Sequence, residues 1–304
     1  MILGRRFILH SMALFCAIIW GTTFVSTKVL LGYGLSPAEI LLYRFTLAYI
    51  AIWFFSPKRL LAKSWQDELL MACAGLCGGS LYFVAENSAL QITLASNVSL
   101  ILCTAPILTA FILYFFRKEK QLKGRLIIGS IIALTGVALV VYNGSIILKI
   151  NPLGDALTLT AALLWAFYGL ILKQLDHKYP VLFITRKVFI YGVLTLLPVF
   201  ILQPIETSIT TLFQPVVCFN LLFLGLIASM LCYLLWNTAV KELGAVQTSN
   251  YIYFMPLITL ITSHIVIDET ITYMAIIGSL FIISGVYMAE KGVDFLGKRK
   301  NNSL

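Results

Sequence analysis

The sequence predicts an all-α membrane protein of ten transmembrane helices arranged as two inverted five-helix repeats. Three observations predict it. Apolar residues make up 60% of the chain and charged residues 12%. That is about half the charge of a soluble domain, so lipid must satisfy much of the surface. The apolar residues fall into stretches of roughly 20, the length a helix needs to cross a ~30 Å hydrocarbon layer. The second half also repeats the first at an offset of about 150 residues.

Gly75-Leu76 against Gly225-Leu226 sets the register of the repeat. Without a gap, Asn87 then matches Asn237, Ala89 matches Ala239, Ala95 matches Ala245 and Ser99 matches Ser249. Pro106, Thr109 and Glu119 match Pro256, Thr259 and Glu269. After one dropped residue, Gly129-Ser130 and Gly136-Val137 answer Gly278-Ser279 and Gly285-Val286. Earlier in each half, Trp20 and Lys28 pair with Trp165 and Lys173 at an offset of 145. Apolar coincidences are cheap in such a composition; matched Asn, Pro, Lys and Glu are not. The first unit is assigned to residues 1–146 and the second to 147–304.

In order, the spans are expected near 8–30, 37–56, 69–90, 95–116, 126–143, 154–175, 181–202, 218–239, 246–267 and 272–290. The first follows Gly4-Arg5-Arg6, like a signal peptide, but runs on for over twenty residues without a small-residue cleavage site. It is read as a retained helix. The second carries Arg44, the third Tyr82, Glu86 and Asn87, and the fourth Asn97. The fifth is marked by Gly129 and Gly136, the sixth by Trp165 and Tyr168, and the seventh by Lys187. Trp236 falls in the eighth, Asn250, Tyr253 and His264 in the ninth, Gly278 and Gly285 in the tenth. The longest polar connection, about 56–68, is too short for a soluble domain, so any chemistry lies within or between helices.

With the N-terminus inside, the inner segments hold Arg5, Arg6, Lys58, Arg59, Lys63, the basic cluster from Arg117 to Arg125, Lys173, Lys178, Lys241 and the lysine-rich tail. The outer loops hold only Lys149. The positive-inside rule then places both termini in the cytoplasm, with the chain multi-pass in the cytoplasmic membrane. The formal net charge of +9 is thus a topology signal, and no nucleic-acid partner is expected. Five spans per unit, an odd number, make the second unit enter the membrane from the opposite face. Secondary transporters use such inverted repeats to alternate around a midplane site.

The six cysteines lie within or beside apolar spans with no CxxC pair, and read as packing residues. No GxxxxGK[ST] or HExxH motif occurs, so neither a nucleotide-driven pump nor a zinc protease is supported and no cofactor is expected.

The residues now assembled resemble the EamA-type family of the drug/metabolite transporter superfamily over essentially the whole chain. Trp20-Gly21, Phe24 and Lys28 resemble its opening pattern; Pro37, Arg44-Phe45 and Ala48 resemble its second helix. Ala89-Leu90, Ala95-Ser96, Ser99-Leu100-Ile101, Pro106, Glu119, Gly129 and Gly136-Val137 look like the signature of helices three to five. The second copy supplies Gly154-Asp155, Trp165-Ala166, Lys173, Pro256, Glu269, Gly278 and Gly285-Val286. The resemblance implies ten helices, a central cavity between the repeats, and export or exchange of small metabolites. Glu86-Asn87 stands where many members keep aromatic or apolar residues.

Glu86 is the sharpest candidate, because a carboxylate within a span needs a partner or a water-filled cavity. It reads either as a substrate-amine or proton site, or as a carboxylate snorkelling or paired structurally; proton coupling stays open. Arg44, roughly 10 Å below the outer face, and Lys28 beside it are placed to receive a carboxylate or phosphate. The alternative is an Arg44–Glu86 ion pair, which similar depth favours, with Lys28 snorkelling. In the second unit Lys187 and Lys173 take the places of Arg44 and Lys28. Trp20, Tyr82, Trp165, Tyr168, Trp236 and Tyr253 would line the repeat interface, though each aromatic also reads as an ordinary lipid-facing or belt residue; Asn97 and Asn250, polar amides within spans, are stronger candidates, and Asn87 adjoins Glu86. His264 with Asp268 raises a membrane enzyme, which the repeat disfavours because Tyr114 occupies the position matching His264. Matched residues such as Trp20/Trp165 read as scaffold, and symmetry-breaking ones, above all Glu86 opposite Trp236, as the seat of substrate choice. The expected substrate is a small amphipathic metabolite such as an amino acid or derivative. The runner-up is exchange of an anionic or sugar-linked metabolite. The bilayer is the partner, with the protein a monomer or homodimer.

Overall fold

A computed structural model describes residues 2–55, 61–93, 95–117, 124–142, 151–267 and 273–294. Among these are ten longer helical runs, with one further short helix, Ile209–Leu212, between the seventh and the eighth. The first half holds α1 (Ile2–Gly32), α2 (Pro37–Trp53), α3 (Trp65–Ile92), α4 (Ala95–Leu102, then Ala105–Arg117) and α5 (Gly124–Tyr142). The second holds α6 (Pro152–Leu175), α7 (Val181–Leu202), α8 (Pro215–Leu243), α9 (Ala245–Ser249, Asn250–Phe254 and Met255–Ile267) and α10 (Tyr273–Asp294). Five of these runs are long and apolar enough to cross a membrane: α1 over Gly4–Gly32, α3, α6, α7 and α8. Shorter apolar stretches lie in α4, α5 and α10. Large apolar side chains such as Phe115, Phe219, Ile265 and Leu280 are exposed, as a lipid-facing surface requires.

The ends of the helices are written in local chemistry. At the start of α2 the Ser36 hydroxyl accepts the Glu39 backbone N–H while the Glu39 carboxylate accepts that of Ser36, a reciprocal cap with Pro37 at the first turn. Asn151 caps α6 by accepting from the Gly154 N–H, again with a proline, Pro152, following. The φ of Gly244 is +94°, a conformation that lets α8 end and α9 begin within one residue.

The repeat also appears as matched irregularities. α3 carries a π-helical stretch at Leu76–Ser80, and α8 carries one at Phe223–Leu231. Both sit on the register set by Gly75 and Gly225. α4 is interrupted just before Pro106, and α9 is wound as a 3₁₀ helix just before Pro256. Each proline lacks the N–H that would continue the helix and crowds the carbonyl four residues earlier. The two breaks touch: the Cys103 thiol donates to the Ile252 carbonyl at 3.6 Å, the carbonyl that Pro256 cannot satisfy.

α5 and α10 form a closely packed pair. A Cβ on Gly136 would stand 2.5 Å from the Gly278 carbonyl oxygen, and one on Gly285 would strike the backbone of Gly129 and Ala133. At the centre, Phe45 packs against Phe83, Phe189 and Tyr233, with ring centroids 5.0–6.0 Å apart, joining α2, α3, α7 and α8. All six cysteines are free, as their placement in apolar spans implied.

Candidate functional site

A cavity with about 470 Å³ of unfilled space, part of it open to solvent, lies between the two halves. α1 contributes Trp20, Thr23 and Phe24; α2 contributes Arg44; α3 contributes Tyr82, Phe83 and Glu86. The break in α4 adds Leu102 and Ala105, α6 adds Trp165, α8 adds Tyr233, and the break in α9 adds Ile252 and Met255. The interrupted helices thus open onto the same space as the charged residues, an arrangement found where a membrane bundle holds a ligand.

Its aromatic wall is held by ring contacts and satisfied donors. Trp20 meets Trp165 edge-on at 5.3 Å and 89°. Tyr82 lies 5.2 Å from Trp165, and Trp236 backs Trp20 at 4.8 Å. The Trp20 indole N–H donates to the Ala228 carbonyl at 2.9 Å, so a buried donor does not go unpaired.

Arg44 and Glu86 supply the charge. Arg44 is 1% exposed and Glu86 4%. The Arg44 Nε donates to the Ser229 hydroxyl at 2.9 Å, and its guanidinium stacks over the Phe83 ring at 4.1 Å. The Arg44–Glu86 salt bridge expected from similar depth is not made: Ser229 and Phe83 hold the guanidinium, and within 4 Å no ion pair joins it to Glu86. Arg44, Tyr82 and Glu86 all line the cavity, so both charged groups face one space.

The other candidates divide. Trp20, Arg44, Tyr82, Glu86 and Trp165 come together around the cavity. Tyr168 stands behind it, donating to Asn237 Oδ1 at 2.9 Å while its ring fills the space a Cβ on Gly78 would need. Asn87 is buried and donates to the Pro37 carbonyl at 3.1 Å, a helix-to-turn tie outside the lining. Lys28 reaches the Thr93 carbonyl at the end of α3 at 3.2 Å, also outside it, as basic side chains do at helix C-termini. Asn250 and Tyr253 are buried in the 3₁₀ segment of α9, next to the lining residue Ile252 but not in the lining. Asn97 lies on the α4 backbone and its side chain falls outside the described residues. Asp268, Glu119 and Glu269 fall outside them as well, and His264 is exposed at the end of α9. Among the described residues no cluster of His, Cys, Asp and Glu could hold a metal ion.

Among the residues that escaped the sequence reading are Phe83 and Tyr233 in the wall and Ser229 behind Arg44. Ser229, Phe83 and Tyr233 are a helix hydroxyl and two aromatics in a chain rich in both. The repeat itself held the signal for two of them, since Phe83 and Tyr233 occupy matching positions at an offset of 150. Trp20 and Trp165, read as scaffold because they match, likewise meet face to edge in the cavity wall.

Lys187 also departs from expectation. Taking the place of Arg44 in the second unit, it does not line the cavity as Arg44 does, but is 5% exposed and donates to the Glu68 carboxylate on α3.

The EamA-like transporter family matches residues 8–142 and again residues 152–290. The chain therefore belongs to that family, within the drug/metabolite transporter superfamily, and is an integral membrane transporter with two family-like units. It is similar to YyaM of Bacillus subtilis (strain 168), an uncharacterized transporter, with 29% identity over 93% of each chain. It is similar to a probable terminal-alkyne amino-acid exporter of Streptantibioticus cattleyicolor, with 25% identity over 93% of each chain. A protein crystal structure at 15% identity superposes with a TM-score of 0.75, covering 97% of this chain and 99% of that one, which shows a shared fold.

Proposed function

We propose that this transporter exports small amphipathic metabolites with a free carboxylate and amine, amino acids or their derivatives, across the cytoplasmic membrane. Ten spans, with both termini cytoplasmic, form two inverted five-helix repeats that rock about the central cavity. The observation that carries the reading is the pair of opposite charges, Arg44 and Glu86, facing one cavity without a direct bond between them. A zwitterion would complete both: its carboxylate against the guanidinium, which presents paired donors, and its ammonium against Glu86. The Trp20, Trp165 and Tyr82 rings would take the apolar part. The exporter name carried by one relative supports this chemistry. An exchanger of anions fits less well, since Glu86 shares the cavity and Lys28 is engaged outside it.

The test is flux of labelled amino acids in liposomes holding the purified protein, against protein-free liposomes. Saturable flux is expected. Chemical conversion of the solute without flux would overturn the proposal in favour of an enzyme.

A further inference from the structure

Two carboxylates at the start of α3, neither of which belongs to the cavity, are engaged by the second half of the molecule. Asp67 accepts from the Lys178 ammonium at 2.7 Å and from the Tyr179 hydroxyl at 2.8 Å. Glu68 accepts from the Lys187 ammonium and the Tyr191 hydroxyl on α7, and from the Ala62 backbone N–H at 2.5 Å. Tyr179 is bound a second time, its oxygen accepting the Lys63 backbone N–H at 2.8 Å. The side chains of Glu68 and Lys187 are 8% and 6% exposed. α3 belongs to the first repeat; the α6–α7 turn and α7 belong to the second. The contacts therefore clasp one repeat to the other at a single end of the bundle.

We propose that Asp67 and Glu68, with Lys178, Tyr179, Lys187 and Tyr191, form an ionic clasp that closes this end of the cavity and parts in each transport cycle. The inference rests on the alternating-access reading above. Its physics suits a gate. A buried ion pair gains Coulomb energy but loses hydration, so its net worth against open, rehydrated charges is small. Its hydrogen-bond directions are nevertheless strict, so it defines one closed geometry while leaving the opening within reach of substrate binding energy. Lys178 shows the pairing in its protonation, the hydrogen bond to Asp67 holding its ammonium above the ordinary range. The opposite end differs in kind: there Glu39 of α2 accepts the backbone N–H groups of Glu206 and Thr207, and Asn151 donates to the Ile92 carbonyl. The Lys28 ammonium also reaches this end, on the Thr93 carbonyl, but that contact stays within the first half.

The experiment places spin labels at Trp65→Cys and His177→Cys, both exposed and flanking the clasp, in full-length protein with its native cysteines replaced by alanine. Distances are measured in lipid nanodiscs. Glu68→Gln and Lys187→Met are each expected to shift the population from short to long distances on the order of tenfold. The exchanged pair, Glu68→Lys with Lys187→Glu, should return it toward the short distance. An unchanged distribution in folded single variants overturns the clasp. Should the charge variants fail to fold, Tyr179→Phe and Tyr191→Phe remove one hydroxyl each and no charge. A shift to longer distances then supports the clasp, and no shift overturns it. Flux measured on the same proteins separates the two proposals, because absent flux in the parent would count against transport and leave the distances to judge the clasp.

Discussion

Arg44 shows how a single residue is given a job by its neighbours. Buried in the bundle, it is fixed through Nε by Ser229 and through its face by Phe83, which leaves the outer edge of the guanidinium for a ligand. Lysine has neither the planar fork nor the stacking face, so Arg44→Lys is not a conservative change here. It should weaken transport of an amino acid and of its N-acetyl derivative alike, by about tenfold or ~1.4 kcal/mol in apparent affinity. Glu86→Gln should weaken the amino acid by a similar factor and spare the N-acetyl compound, which has no ammonium to lose. Concentration-dependent flux in liposomes measures both. Equal losses for both substrates in both variants would remove the two-ended site. That Arg44 and Glu86 could share one level of the bundle was legible in the sequence, since residue count along a helix sets the rise. Their failure to bond was not, because depth says nothing of rotation about the helix axis or of a serine arriving from α8.

At the scale of the helix, proline and glycine leave the plainest record. The breaks before Pro106 and Pro256 follow from an amide that has no hydrogen, and the sequence alone marks both positions. What it does not mark is that the broken segments touch each other and open onto the cavity. The α5–α10 pair makes the same point with glycine. Gly285 lies against the backbone of Gly129 and Ala133, which cannot move aside as a side chain would. Gly285→Leu should therefore cost roughly 1–3 kcal/mol through overpacking. A lowered midpoint of thermal unfolding in detergent would register it, whereas an exposed control such as Leu280→Ala should change little. A midpoint unmoved by Gly285→Leu would show that the two helices do not pack this closely.

For the whole molecule, the charge distribution sets one expectation that a labelling experiment can check. Cysteines introduced at position 4, near the N-terminus, and at His177 should react with an impermeant maleimide from the cytoplasmic side only. A cysteine at Ser208, in the exposed stretch between α7 and α8, should react from the outside only. Labelling of position 4 and position 208 from the same side would break the ten-span, inverted arrangement.

By itself the sequence determined that this chain is a helical membrane transporter built twice over. Those properties follow from rules that act locally or through repetition. Lipid demands apolar stretches of a given length, and a duplicated gene leaves its Asn, Pro and Glu in register. Glu86 stood out for the same reason, since a carboxylate in such a stretch needs an explanation. The tertiary structure decided which of the candidates share a space. It brought Trp20, Arg44, Tyr82, Glu86 and Trp165 to one cavity and left Lys28, Asn87 and Tyr168 tied elsewhere. It also joined Glu68 to Lys187 across 119 positions of chain. No local pattern encodes such a meeting, because it depends on how helices rotate and pack, and packing sums small contacts from every part of the molecule.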